Sequence, residues 1–194
     1  MQEAVIIDCL RTAVGKAPRG ALRNQRPDDL AASVIRALVD RYPAARDAVE
    51  DVILGCAMPE AESGNNMARA AALRAGLADT VTGVTINRFC SSGLQAIAMA
   101  VERIRCGGAE AIVAGGSESM SLIPKGGHKL APNPWFVDHR PEIYLNMGLT
   151  AEKLRLKYGV SREDSDAFSL RSHSNAIAAQ QAGKFEEEIV PVEV

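Results

Sequence analysis

The chain has few aromatic residues and no concentration of charge. Aromatics make up 4% of its 194 residues, and 22 Lys plus Arg nearly balance 24 Asp plus Glu, for a formal net charge of −2. Without a broad basic field there is nothing to draw in a nucleic acid or an anionic membrane surface, so neither partner is expected. No apolar run approaches the ~20 residues of a membrane span. The opening MQEAVIIDCL has no basic stretch ahead of an apolar one, the arrangement a secretory signal requires, and the expected location is the cytoplasm. Four cysteines (Cys9, Cys56, Cys90, Cys106) form no CxxC pair and have no metal-type spacing with His128, His139 or His173, so no metal is expected. A reducing compartment suits all four thiols. Cys9, Cys56 and Cys106 lie within or at the ends of apolar segments, where a small hydrophobe fits. Apolar residues, in contrast, are plentiful: at 47% they suffice for one good core with a smaller appended region.

The rest of the chain is organised around VTGVTINRFCSSGLQAIAMA, Val81 to Ala100. Val81, Val84, Thr85 and Ile86 favour a strand, and Asn87 and Arg88 end it. Leu94, Ile97, Ala98 and Val101 then recur at i, i+3, i+4 and i+7, which predicts an amphipathic helix with this stripe facing the core. Cys90 sits at the break. If the helix starts near Ser91 or Ser92, either of which can cap it, the thiol meets free backbone N–H groups and the positive end of the helix dipole. Such a position favours a thiolate and offers donors to an oxyanion. A cysteine placed by position alone is as readily a small structural hydrophobe, and both readings stand at this point.

Taken in order, Ala4 to Cys9 reads as a short buried strand and Arg11 to Arg26 as a loop. The basic residues of that loop, Lys16, Arg19, Arg23 and Arg26, do not form a glycine-rich phosphate turn, and a solvated crossover is the better reading. Pro27 and Asp28 open a helix with Leu30, Val34, Ile35 and Leu38 as its buried stripe. Asp51 to Cys56 reads as a second strand. A polar break at Ser63 to Asn66 leads into the helix MARAAALRA, whose alanines suggest close packing and which Gly76 stops. With the strand and helix around Cys90 and a strand at Ala111 to Gly115, the series is β-α-β-α-β-α-β, an α/β layer fold with a mostly parallel sheet. Cys90 and Gly115-Gly116 then fall at carboxyl ends of strands, where open α/β sheets place their ligand crevice. From Ser117 to Thr150 the chain holds four prolines and little periodicity, an irregular excursion. Thr150 can cap a helix through Tyr158, stopped by Gly159. Ser161 with Asp164 resembles a capping box opening another helix through about Ala182, before Gly183. Ile189 to Val194 looks like the start of a strand. The expected domains are 1–117, an α/β unit carrying Cys90, and 118–194, the excursion.

NRFCSSGLQA (Asn87 to Ala96) followed by AIVAGGSESMS (Ala111 to Ser121) resembles the nucleophile segment and following strand-loop of the thiolases, the acyl-CoA acetyltransferase family. The resemblance continues at RTAVGKAPRGAL (Arg11 to Leu22), MGLTAEKL (Met147 to Leu154) and Ser161 to Val192, and so covers nearly the whole chain. It implies a thiolase-like layered fold with an inserted loop domain. It implies that Cys90 takes an acyl group from a 3-ketoacyl-CoA and passes it to a second CoA, or runs the condensation in reverse. Met147 would border the pantetheine and acyl group. CoA and acyl-CoA are substrates, no cofactor is called for, and a homodimer or dimer of dimers is expected. The family's Asn-Glu-Ala-Phe, Gly-His-Pro and Cys-x-Gly segments have no counterpart here. The chain therefore reads as an N-terminal half ending inside the loop domain, inactive alone, with the histidine and second cysteine of acid/base catalysis in the absent half. His128, His139 and His173 are poor substitutes. Asn146, where short-chain biosynthetic members place histidine before Met-Gly, points to the degradative branch. Two alternatives remain: a ketoacyl synthase-like condensing enzyme, and a non-catalytic thiolase-like subunit.

Overall fold

The strand Val49–Gly55 is the centre of the three-stranded sheet. The computed structural model describes residues 3–194, which form two compact units: one extends to Lys129 and includes Glu188–Val194, the other is Leu130–Glu187. The first unit carries β1 (Arg11–Thr12), α1 (Pro27–Arg41), α2 (Pro43–Ala48), β2 (Val49–Gly55), α3 (Met67–Ala75), β3 (Thr82–Ile86), α4 (Ser92–Arg105), β4 (Ala111–Gly116) and β5 (Ile189–Val190). The second carries α5 (Pro134–His139), α6 (Met147–Tyr158) and α7 (Arg162–Gln181). β2 pairs in parallel with β3 on one side and β4 on the other, with Ile53 opposite Val84 and Ala114. The α/β class and parallel sheet therefore follow the reading of the sequence.

The two-residue period of β2 divides the core. Val52 and Leu54 point into a cluster with Ile35 and Val39 of α1 and with Met67, Ala68, Ala71 and Ala72 of α3. Ile53 points to the opposite layer, against Ala96 and Ala100 of α4. Asp51 shares that second face; it is buried and ion-paired to Arg103 of α4, so a charge is tied to the helix that covers it. The alanines of α3 are buried as their number suggests, and Gly76 closes the helix in the left-handed conformation at φ +86°.

Three expectations need correction. Ala4 to Cys9 is not a buried strand: it makes no sheet pairing, and Val5, Ile6 and Ile7 are 76%, 75% and 68% exposed. A strand needs an edge to pair with. Among the described residues this segment joins no edge, and the pairing falls instead on β1 with β5, Arg11 opposite Ile189. A cavity of about 860 Å³ lies between this segment, α1, α4 and β4. Secondly, the larger residues of the α4 stripe do not form its core face: Leu94 is 71% exposed, and the helix packs through Ala96 and Ala100, whose small side chains allow close approach to the sheet. Cys9 and Cys106 are likewise exposed, and only Cys56 of the three expected structural cysteines is buried.

In the second unit helix ends are fixed locally. α6 begins at Met147 rather than at Thr150, because the Asn146 side chain accepts from Leu149 N at 2.9 Å and occupies the N-cap; the Thr150 hydroxyl donates instead to Asn146 O. Gly159 ends the helix at φ +66°. Ser161 Oγ accepts from Asp164 N at 3.0 Å and donates to Asp164 Oδ2 at 2.7 Å, the cap expected for α7.

Candidate functional site

Cys90 lies in the five-residue connection between β3 and α4, at the carboxyl end of the sheet, and is exposed. Phe89, just before it, adopts φ +48°, the left-handed region that a bulky aromatic rarely enters. Such a conformation costs on the order of 1–3 kcal/mol and persists only where neighbours hold it. Here both ends of the residue are held. Phe89 N donates to Asn87 Oδ1 at 2.8 Å, and Phe89 O accepts from Ser92 Oγ at 2.6 Å and from Ser92 N at 3.0 Å. The buried Ser92 hydroxyl also accepts from Arg88 N at 2.8 Å.

The two serines therefore fasten the turn instead of capping the helix. Ser91 is the N-cap residue of α4, yet its hydroxyl donates to Arg88 O at 3.1 Å and makes no cap bond. Among the described residues no side chain bonds the first-turn N–H groups of α4; Ser92 N is taken by Phe89 O, and the N–H groups after it, which any helix leaves without intrahelical acceptors, attract an anion.

Glycines bring this helix end against the strands. A Cβ on Gly55, the last residue of β2, would lie 2.5 Å from the carbonyl carbon and Cβ of Ser92, and one on Gly116 would lie 2.9 Å from Gly55 O. Gly115 and Gly116 thus end β4 beside the start of α4.

Behind the turn, the Glu118 carboxylate accepts from Ala57 N at 2.6 Å, Met58 N at 3.2 Å and Cys56 Sγ at 3.5 Å. Burial, reinforced by the Glu118 charge, pushes the Cys56 thiol up from its ordinary 9.0 to about 11. Cys56 is a protonated hydrogen-bond donor in the core, the opposite of a nucleophile. Sequence reasoning did not single out Glu118, read Ser92 as a possible helix cap rather than a fastener of the turn, and placed Asn87 at the strand end without its bond to Phe89; the polar residues of the two quoted motifs are the available signal.

Met147 is the exposed first residue of α6 in the second unit. His128 is exposed, its backbone N–H held by Glu60. His139 stacks on Trp135 at 4.7 Å and His173 is exposed on α7. Among the described residues no group of three or more His, Cys, Asp or Glu could hold a metal ion, and no helix is long and apolar enough to cross a membrane.

A parallel α/β unit with a cysteine at the carboxyl end of its sheet, before an uncapped helix, defines the class. The thiolase N-terminal domain family matches residues 4–194, and the chain belongs to the thiolase family. It is 52% identical over its full length to a 3-ketoacyl-CoA thiolase of Bacillus subtilis (strain 168), of which it covers 50%. It is 42% identical over 192 residues to a 3-ketoacyl-CoA thiolase of Escherichia coli O1:K1 / APEC, covering 49% of that protein. In structure it superposes on the Bacillus anthracis acetyl-CoA acetyltransferase with a TM-score of 0.85 at 39% identity, over all of this chain and 52% of the other. The chain spans about half the length of these relatives and corresponds to their N-terminal half.

Proposed function

We propose that this chain supplies the nucleophile of a 3-ketoacyl-CoA thiolase, with Cys90 as the residue that carries the acyl group. The observation behind this reading is the strained, doubly held turn that presents an exposed thiol in front of uncapped helix N–H groups. The Cys90 thiolate attacks the C3 carbonyl of a 3-ketoacyl-CoA, and its oxygen becomes an oxyanion that the first-turn N–H groups of α4 stabilise. Collapse of that adduct breaks the C2–C3 bond, leaving an acyl thioester on Cys90 and an acetyl-CoA enolate that takes up a proton. The thiol of a second CoA then attacks the acyl-enzyme and regenerates Cys90. Thiolate chemistry suits this exchange because thioester passes to thioester with little change in energy.

The proton transfers belong, on the family resemblance, to a histidine and a cysteine outside these residues. Met147 is proposed to border the pantetheine arm. The four free cysteines suit a reducing compartment and the proposed cytoplasmic location, and a homodimer or dimer of dimers is the proposed assembly.

The assay is loss of the Mg²⁺-enolate absorbance of a 3-ketoacyl-CoA on adding CoA. The complete protein should turn over, and Cys90→Ala should abolish it. Residues 1–194 alone should give no measurable thiolysis, since losing even one general acid/base costs roughly 10²- to 10⁴-fold. Thiolysis that survives Cys90→Ala would overturn the reading, and Cys90-dependent turnover by these residues alone would place the base within this chain.

A further inference from the structure

The turn that carries Cys90 is connected to the segments that follow two other strands. Asn87, which holds Phe89 N through Oδ1, donates from Nδ2 to Ala57 O at 3.0 Å. The other side of that segment is held by Glu118, whose two oxygens accept from Ala57 N and Met58 N. A continuous path thus runs from Glu118 after β4, through the Ala57 peptide after β2, through Asn87 after β3, to the left-handed Phe89. Glu118 is itself well fixed. Its neighbour Ser117 donates from N to Gly55 O at 3.1 Å and from Oγ to Pro27 O at 2.8 Å. On the other side the buried Ser119 closes a turn, its carbonyl accepting from Ile123 N at 2.9 Å.

We propose that Glu118 is a positioning residue for Cys90, acting through Ala57 and Asn87 to hold the strained Phe89 peptide in place. The proposal rests on the reading of Cys90 as the nucleophile. A loop could be tied down by backbone bonds alone. A half-buried carboxylate taking three donors is a costly way to do so unless its partners need a fixed position. A strained conformation, moreover, keeps its geometry only when the surroundings over-determine it. Two of the constraints on Phe89 come from Ser92 on its own helix. The Asn87 bond is the one that refers the turn to the rest of the sheet.

The test uses the complete protein with Glu118→Gln, Asn87→Asp and the double variant. In Glu118→Gln an amide NH₂ replaces one acceptor and meets a backbone N–H or the Cys56 thiol. Asn87→Asp keeps an acceptor for Phe89 N but loses the donor to Ala57 O. Three quantities are read: the pH profile of Cys90 alkylation by iodoacetamide with exposed Cys106 as the reference in the same molecule, kcat and KM for thiolysis, and the melting temperature. Displacements of this kind cost ~10- to 100-fold. Each single variant should slow Cys90 alkylation and lower kcat in that range, shift the alkylation profile along the pH axis, and leave KM and Cys106 nearly unchanged. The double variant should be no worse than either single one, because both cut the same path. An unshifted Cys90 profile in both single variants, or fully additive losses, would overturn the proposal, including when melting falls. Should Glu118→Gln fail to fold, the exposed Asn87→Asp with its profile carries the test. If unaltered Cys90 is no more reactive than Cys106 and Cys90→Ala still turns over, the nucleophile reading itself fails and the positioning role falls with it.

Discussion

In the first unit, alternate residues of β2 bury against helices on both faces, and Val52, Ile53, Ala68 and Ala96 are almost wholly inaccessible. In the second, none of the residues of α5, α6 or α7 is buried, and Leu156, Phe168 and Leu170 are 70%, 63% and 71% exposed. The second unit's helices are set by caps at Asn146 and Ser161, by glycine at 159, and by surface pairs such as Arg162 with Asp166 at 2.9 Å. Pairs of that kind contribute only ~0.2–1 kcal/mol each. The difference teaches where geometry of ångström accuracy can be kept: a strained turn such as that at Phe89 belongs on the unit whose core over-determines it, and helices held by local caps alone suffice where no such accuracy is needed.

The comparison is broken most severely at Gly55. Gly55→Val places carbon atoms into the backbone of Ser92, and overpacking of this kind costs ~1–3 kcal/mol, occasionally more. Because α4 must move to relieve it, urea unfolding should show a lower midpoint and Cys90 alkylation should slow together. A variant with normal stability and normal Cys90 reactivity would show that the close approach is dispensable.

A smaller effect is expected at Cys56. Its folded-state pKa of about 11 lies above the ordinary 9.0 that it regains on unfolding. Between these values the unfolded chain has lost a proton that the folded chain keeps. The thiol's contribution is therefore complete below pH 9.0 and is lost as pH rises through about 11. Urea midpoints between pH 8 and 11 should fall more steeply in the unaltered protein than in Cys56→Ala. Parallel curves would remove Cys56 from the account.

The mildest change sharpens the contrast from the other side. Ser161→Ala deletes the α7 cap at a cost of ~0.5–2 kcal/mol to that helix. Amide exchange should quicken in the first turn of α7, while the global unfolding midpoint of the first unit stays unchanged. A matching drop in that midpoint would mean the two units unfold as one.

Much of this was legible in the sequence where a local rule and the tertiary environment agree. Gly76 after α3, Ser161 before α7 and the period of β2 each fix an element without reference to anything distant. Cys90 stands out because a strand pattern changes to a helix pattern there, and its reading as a nucleophile comes from the resemblance to the thiolases. Legibility failed where the deciding partner is remote or missing. Ala4 to Cys9 has strand composition but joins no sheet, and α4 buries Ala96 and Ala100 while Leu94 stays exposed. The serines at 91 and 92 satisfy every compositional rule for caps, yet the reverse turn at Phe89 offers them nearer partners. Glu118 acts on loops that only the sheet order brings beside it.

β4 carries a consequence for handling the chain on its own. Among the described residues it pairs only with β2, so its other edge is bare along the cavity beside Ala4 to Cys9. Its sequence, Ala-Ile-Val-Ala-Gly-Gly, has none of the lysines or prolines that soluble sheets use to discourage strand addition. With Val5, Ile6 and Ile7 exposed and unpaired close by, the same region offers both a template and an apolar segment to add to it. Concentrated solutions of these residues are therefore prone to edge-to-edge growth into cross-β aggregates, seeded at β4 rather than at the exposed helices of the second unit.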